Sequence, residues 1–182
     1  MAAFTVIDHT EIGVGGAASW NVTSIPSSYD HLLIKGSVRS DYAAAYYDAL
    51  GLRFNGDTGT NYSTTYLATG SGTPFSSRGS GDVSGGPVYC VPAASSTADT
   101  FGAFTMWIPH YANTANFKQG FIQGANEGAS ATDWQWVMGM NAILWGSTSA
   151  IDEITISCQR GAWQTANFVQ YSTFTLYGVT GA

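Results

Sequence analysis

The chain has 182 residues, with Lys+Arg 6 against Asp+Glu 12 for a formal charge of −6 at pH 7; 10% of its residues are charged, 14% are aromatic and 22 are glycine. That length suits one domain with its own core. Scarce charge beside many glycines and aromatics is the profile of an all-β protein, neither helical nor disordered. The bases (Lys35, Arg39, Arg53, Arg78, Lys118 and Arg160) are scattered, so the concentrated positive footprint of a nucleic-acid binder is missing, and a partner met through apolar and hydrogen-bonding contacts is expected instead.

The N-terminus, Met1 to His9, has no basic segment and too short an apolar run for a secretory signal. The most apolar stretch, Trp136 to Trp145, is short for a bilayer and interrupted by Gly139 and Asn141. A soluble protein made in the cytoplasm, with no membrane partner, is expected. Phe4 to Ile7 predicts a first strand, followed by a polar step to Glu11 and the flexible Gly13 to Gly16; residues 1–16 are therefore an N-terminal arm or a first strand, ahead of a sandwich domain over 17–182. Trp20, Val22 and Ile25 predict the second strand, stopped by Pro26. Leu32, Ile34 and Val38 alternate with Leu33, Lys35, Ser37 and Arg39, a strand with one wetter face.

Asp41 to Tyr47 reads either as a short helix capped by Asp41 or as a lead into the next strand. Leu50, Leu52 and Phe54 then alternate with Gly51 and Arg53, and the run breaks at Asn55 to Gly59, where two glycines are expected to supply positive φ. A second extended run with Tyr62, Tyr66 and Leu67 predicts a β-hairpin with the first. Residues 68–87 read as a long Gly/Ser-rich loop, functional or mobile. Strands resume at Val88 to Val91 and Phe101 to Ile108, the latter with Phe104, Met106 and Ile108 on one face. A turn at Asn113 to Asn116 leads into Phe117 to Ile122. Thr132 to Met140 places Trp134, Trp136, Met138 and Met140 on one face, Ile143 to Trp145 reads as a separate short strand, and Ile154, Ile156 and Cys158, then Phe174, Leu176 and Gly178, complete the pattern. About ten short strands separated by turns predict an antiparallel β-sandwich, jelly-roll-like.

Candidate chemistry is sparse. Asp152 and Glu153 are adjacent and point to opposite faces of a strand, so they cannot flank one glycosidic bond. His9, His31 and His110 have no metal-ligand spacing, no nucleophile elbow or phosphate loop is present, and Gly56-Asp57-Thr58-Gly59 matches the aspartic-protease tetrad in letters without a second copy. Asn55, Asp57 and Asn61 read as a turn with Asx hydrogen bonds rather than a calcium loop. Cys90 and Cys158 sit in apolar runs, read as two buried thiols, with a disulfide open if their strands are neighbours. Trp134 and Trp136 read as core or subunit interface before sugar platform. No catalytic residue, metal or cofactor is assigned, and the chain is not expected to be an enzyme.

Residues 50–62 (Leu-Gly-Leu-Arg-Phe-Asn-Gly-Asp-Thr-Gly-Thr-Asn-Tyr), 108–118 (Ile-Pro-His-Tyr-Ala-Asn-Thr-Ala-Asn-Phe-Lys) and 172–178 (Ser-Thr-Phe-Thr-Leu-Tyr-Gly) together resemble a domain of tailed-bacteriophage structural proteins, found in capsid decoration (cement) proteins and in tail or head fibres. The resemblance implies a jelly-roll-like sandwich, homotrimers and a place in the virion. The first strand begins almost at Met1, as expected of a stand-alone domain on the capsid surface, bound to the major capsid protein, rather than of a fibre tip. A fibre or knob with a receptor- or carbohydrate-binding role is the alternative. Partner contacts are expected from the N-terminal segment (Phe4, Val6, Ile7) and the Gly/Ser-rich segment (Phe75, Arg78, Val83).

Overall fold

The computed structural model describes residues 3–70, 73–128, 137–160, 162–164 and 166–181, and there is no helix among them. The strands, in chain order, are β1 (Ala3–Glu11), β2 (Ser19–Val22), β3 (His31–Val38), β4 (Tyr47–Phe54), β5 (Tyr62–Gly70), β6 (Thr73–Asp82), β7 (Gly85–Pro92), β8 (Gly102–Pro109), β9 (Lys118–Asn126), β10 (Val137–Trp145), β11 (Ile154–Cys158) and β12 (Thr173–Thr180). They form two antiparallel sheets packed as a sandwich. The larger has eight strands in the order β1-β12-β3-β8-β9-β10-β5-β6, and the smaller has four, β2-β11-β4-β7.

The core lies where alternate residues of both sheets meet. Leu32, Ile34, Phe104, Met106, Ile108, Ile122, Phe174 and Leu176 come from the large sheet, and Trp20, Leu50, Leu52, Phe54, Ile154, Ile156 and Cys158 from the small one. Trp20 stacks on Phe174 at 5.1 Å between ring centroids, and Phe168 meets Phe174 edge-on at 5.0 Å, the offset and T-shaped geometries that aromatic quadrupoles favour. Close approach of the sheets depends on small residues. A Cβ on Gly102 would strike the Cys90 carbonyl, and one on Gly124 would lie 2.6 Å from Cβ of Cys90.

Several expectations are corrected. The run through Phe54 and the run from Tyr62 are not a hairpin: β4 belongs to the small sheet and β5 to the large one, so Asn55 to Asn61 is an arch between layers. A period of two places a strand's faces but does not say which sheet it joins. Asn55 (φ 52) and Gly56 (φ 62) supply the left-handed pair, and Gly59 does not. Residues 68–87 are not a loop, because β5 and β6 form a hairpin with β6 as the edge strand. Ser and Gly are tolerated there since an edge strand with exposed side chains needs little packing. The N-terminal segment is the strand alternative and not a free arm: β1 pairs with β12 of the same chain from Ala3 through Glu11, with a bulge between Val6 and Asp8. Asp41 to Tyr47 carries no helix, and Asp41 instead accepts hydrogen bonds from the Asn167 backbone and side-chain amides, both at 2.8 Å. Residues 143–145 are the end of β10 rather than a separate strand. Of the run expected from Thr132, residues 132–136 lie outside the described residues.

One end of the sandwich is tied by the segment 146–151. Gly146 N–H donates to the Asn61 carbonyl at 2.8 Å, Ile151 N–H to the Tyr111 carbonyl at 3.0 Å, and Asn55 Nδ2 to the Ala150 carbonyl at 2.7 Å. Buried Lys118 sends Nζ to the carbonyls of Asn116 (2.7 Å) and Thr148 (3.1 Å). The segments 50–62 and 108–118 therefore share one end of the fold.

Candidate functional site

The register of the large sheet fixes which side chains share its outer face, the one turned away from the small sheet. Val6 pairs with Tyr177, Tyr177 with Leu33, Leu33 with Trp107, Trp107 with Phe121, Phe121 with Ala142, Ala142 with Thr65, and Thr65 with Arg78. This row crosses all eight strands, and five consecutive members are bulky and apolar. Phe121 is 45% exposed and Val6 57%, while Tyr177, Leu33 and Trp107 are half-buried among their neighbours. Beside the row, Phe4 packs edge-on against Tyr177 at 6.5 Å, and His31 lies 4.8 Å from Trp107.

The next row runs His9, Thr175, Lys35, Thr105, Gln123, Met140, Leu67 and Ser76, and the one after it Glu11, Thr173, Ser37, Ala103, Ala125, Met138, Thr69 and Pro74. Toward β5, the long side chains of Met138, Met140 and Leu67 stand up around Ala103 and Ala125, with Pro74 at the rim, and line a concavity of about 520 Å³. Across the three rows the charged groups are Lys35 on β3, with Glu11 and Arg78 on the two edge strands. An antiparallel sheet with one solvated face normally turns polar side chains to water; the rows through Lys35 and Ser37 largely do so, and the row from Val6 to Phe121, with the cluster of Met138, Met140 and Leu67, is the apolar exception.

The sequence-assigned contact residues lie at the two edges of this sheet. Phe4 and Val6 are exposed on β1, and Ile7 is half-buried and packs on the core. On β6, Arg78 is exposed, whereas Phe75 turns inward against Tyr66 and Tyr89, each at 6.0 Å. Val83 is 42% exposed just beyond β6, and its carbonyl accepts from Arg53 Nε at 2.9 Å. The structure does not gather the six residues into one patch. What lies between the two groups is the apolar row, whose members Leu33, Trp107, Phe121 and Tyr177 were not singled out from sequence. The signal was there: Leu32-Leu33-Ile34, Met106-Trp107-Ile108 and Phe121-Ile122 are apolar on both faces, the mark of a strand covered on both sides.

Other singled-out groups have structural tasks. Asp57 accepts from Gly59 N–H (2.7 Å), Asn61 Nδ2 (2.9 Å) and Trp145 Nε1 (2.6 Å). Partial burial pushes its carboxyl up, but these donors outweigh that and hold it below the usual carboxylate range. Asn55 Oδ1 accepts from the backbone of Asp152 and Glu153 at 3.0 and 3.2 Å. The segment is the Asx-bonded turn expected of it. In the arch, the Tyr62 hydroxyl accepts from Phe54 N–H at 3.0 Å, and burial pushes its pKa up to about 12. His31 accepts the His110 backbone N–H at 3.1 Å, and the two rings lie 4.8 Å apart, while His9 is at the β1 edge. Among the described residues no group of three or more His, Cys, Asp or Glu could hold a metal ion. A polysaccharide-cleaving enzyme would need carboxylates such as Glu127, Asp133 and Asp152 to converge; Glu127 follows the Asn126 end of β9 and the Asp152–Glu153 pair lies by Asn55 at the opposite end, while Asp133, Trp134 and Trp136 are outside the described residues.

Cys90 and Cys158 are free and buried, and burial pushes both thiols up. Beside them lies Asp48, buried completely on the inner side of β4. Its Oδ1 accepts the Ala49 N–H at 2.7 Å. Its Oδ2 has no hydrogen bond of normal geometry among the described residues, although the Ser40 hydroxyl and Cys158 thiol face the carboxyl. Burial raises its pKa against the opposing pull of Ala49 N–H, Ser40, Cys158 and Arg160. Most bases are also spent on the fold. Arg39 Nη1 donates to the carbonyls of Thr97 (2.7 Å) and Thr100 (2.9 Å), Arg53 stacks on Trp163 at 4.0 Å, and Arg160 on Tyr47 at 4.1 Å.

Comparison of the chain with protein-family models, with curated proteins and with solved structures finds no match. The chain is a β-sandwich of two antiparallel sheets whose strand order is compatible with a jelly roll.

Proposed function

We propose that this chain is a virion structural protein of a tailed phage, a capsid decoration protein that binds the major capsid protein from outside and acts by adhesion, without catalysing a reaction. The observation that carries the adhesive part is the uncharged apolar row over the large sheet, Val6 to Phe121. The virion setting is supported by the three resembling segments, two of which the fold holds at one end. Cementing a shell calls for contacts at several junctions at once, and linking copies of one chain multiplies a weak hold by effective concentration. Self-association, a trimer by the resemblance, supplies those copies. Low charge makes such a hold less sensitive to salt than an ionic one. Exposed side chains on the edge strands β1 and β6 support contact with the shell through those edges.

Because both segments are strands of the sheet, deletion would unfold it, and surface substitutions are the cleaner test. Phe4→Ser with Val6→Ser on β1, or Arg78→Ala with Val83→Ser at β6, is expected to lower occupancy on purified heads at unchanged thermal stability. Full occupancy with both pairs changed would refute the shell-binding role. The second reading, a fibre or knob domain that meets carbohydrate, is favoured by the half-exposed cluster of Tyr47, Tyr66 and Tyr89, with ring centroids 5.5–5.7 Å apart. Those rings meet edge to face rather than forming one flat platform, and a glycan array without hits would remove this reading.

A further inference from the structure

We infer that a second copy of this chain covers the outer face of the eight-stranded sheet, so that the apolar row inside its β1 edge, from Tyr177 to Phe121, is the contact between copies. This rests on the adhesive reading above and names the surface and the occupant. The face must be covered by something apolar and uncharged: from Tyr177 through Leu33 and Trp107 to Phe121, and on to Met140, it offers no carboxylate. A strongly charged partner would find only Lys35 and the edge groups to pair with, and would leave its own charges desolvated and unmatched, which costs several kcal/mol.

The chain itself carries −6, and like charges brought face to face repel. Contact between copies is therefore least opposed where carboxylates are absent. Asp30, Asp41, Asp57, Asp99, Asp152 and Glu153 all lie in the connections between strands, and Glu11 is the one acid in the three rows, on an edge strand. Along the row from Tyr177 to Phe121 the outer face is thus uncharged and greasy, with Lys35 on β3 beside it and the remaining charges on the edge strands, which resembles an interface core and its rim. A centre without charge brings no like charges together when one copy meets another. Phe121, on the fifth strand of the eight, sits near the middle of the sheet, where the apolar row ends beside Met140, and central aromatic anchors contribute most to an interface. The occupied face also accounts for strands that are apolar on both sides.

The test is the mass of the full chain in solution by sedimentation equilibrium over a wide range of concentration. Wild-type protein is expected at a multiple of 19.2 kDa. Phe121→Glu, and separately Met138→Glu, are expected to lose association and fall to the single-chain mass with an unchanged far-ultraviolet circular dichroism spectrum. Asn21→Asp, which adds the same charge on the outer face of the small sheet, is expected to keep the assembled mass. A wild-type chain that stays at the single-chain mass throughout, or a Met138→Glu protein that keeps the assembled mass, overturns the inference; Met138, being 63% exposed, decides it even if Phe121→Glu misfolds. Binding to purified heads is read separately. Single chains that still bind heads would sink this inference alone, and assembled chains that bind none would sink the decoration role alone.

Discussion

The four-stranded sheet turns Ser19, Asn21 and Thr155 outward, and Asn21 Nδ2 donates to Thr155 Oγ1 at 2.8 Å and to Glu153 Oε1 at 2.7 Å. The eight-stranded sheet turns Leu33, Trp107, Phe121 and Tyr177 outward instead. Inside the sandwich the contrast reverses. The large sheet sends Ile34, Met106, Ile122 and Leu176 into the core, while the small sheet brings in Asp48 with an oxygen that has no bond of normal geometry. Each sheet departs from apolar-in, polar-out alternation, in opposite senses. The first departure leaves greasy surface exposed in a lone chain, and that surface is the one proposed above as the contact between copies. The second weakens the lone chain and is tolerable only because packing elsewhere is ample.

The two faces of the large sheet can be set against each other directly. Phe174→Ala removes an inner-face ring stacked on Trp20 and packed on Phe104 and Phe168, and is expected to cost about 3–5 kcal/mol in urea unfolding. Phe121→Ala, one ring on the outer face, is expected to change the unfolding free energy of dilute single chains by no more than about 0.5 kcal/mol. Similar losses at the two positions would erase the distinction between the faces.

A smaller effect is expected inside the small sheet. The folded-state pKa of Asp48 is raised above its unfolded value, so the folded protein holds the proton more tightly. Stability is then greatest below the unfolded carboxyl pKa and falls as pH rises toward the folded value. Asp48→Asn is expected to flatten that fall and to gain about 1–3 kcal/mol above it, the scale of a buried polar atom left without a partner. Denaturant midpoints measured from acid to mildly basic pH check this, and parallel profiles for the two proteins would mean that Asp48 binds its proton equally well folded and unfolded.

How far the sequence carried depended on what each residue reports. Phe104, Met106 and Ile108, or Ile154, Ile156 and Cys158, declare a buried face by their spacing, and those faces are buried. The Asx turn at Asp57 was legible because Asp, Gly and Asn bond locally. Sheet membership was not legible: nothing local in Leu52, Phe54 or Tyr62 says that the chain crosses between layers at Asn55, since the partners of β4 come from residues far along the chain. Strand β6 was missed because Ser76, Ser77, Gly79 and Ser80 have low strand preference, and their pairing with β5 is imposed by register. The apolar outer face was written in runs such as Met106-Trp107-Ile108, but its continuity appears only when the strands are laid side by side.

The central claim, that the outer face of the large sheet is a covered contact surface, is most directly tested by peroxide footprinting of the methionines with mass-spectrometric readout. Met138 and Met140 are 63% and 48% exposed on that face, and Met106 is fully buried beneath it. Met138 and Met140 are expected to oxidise readily in dilute protein and to become protected in concentrated protein, while Met106 stays protected at both. Equal oxidation of Met138 and Met140 at the two concentrations would contradict the account.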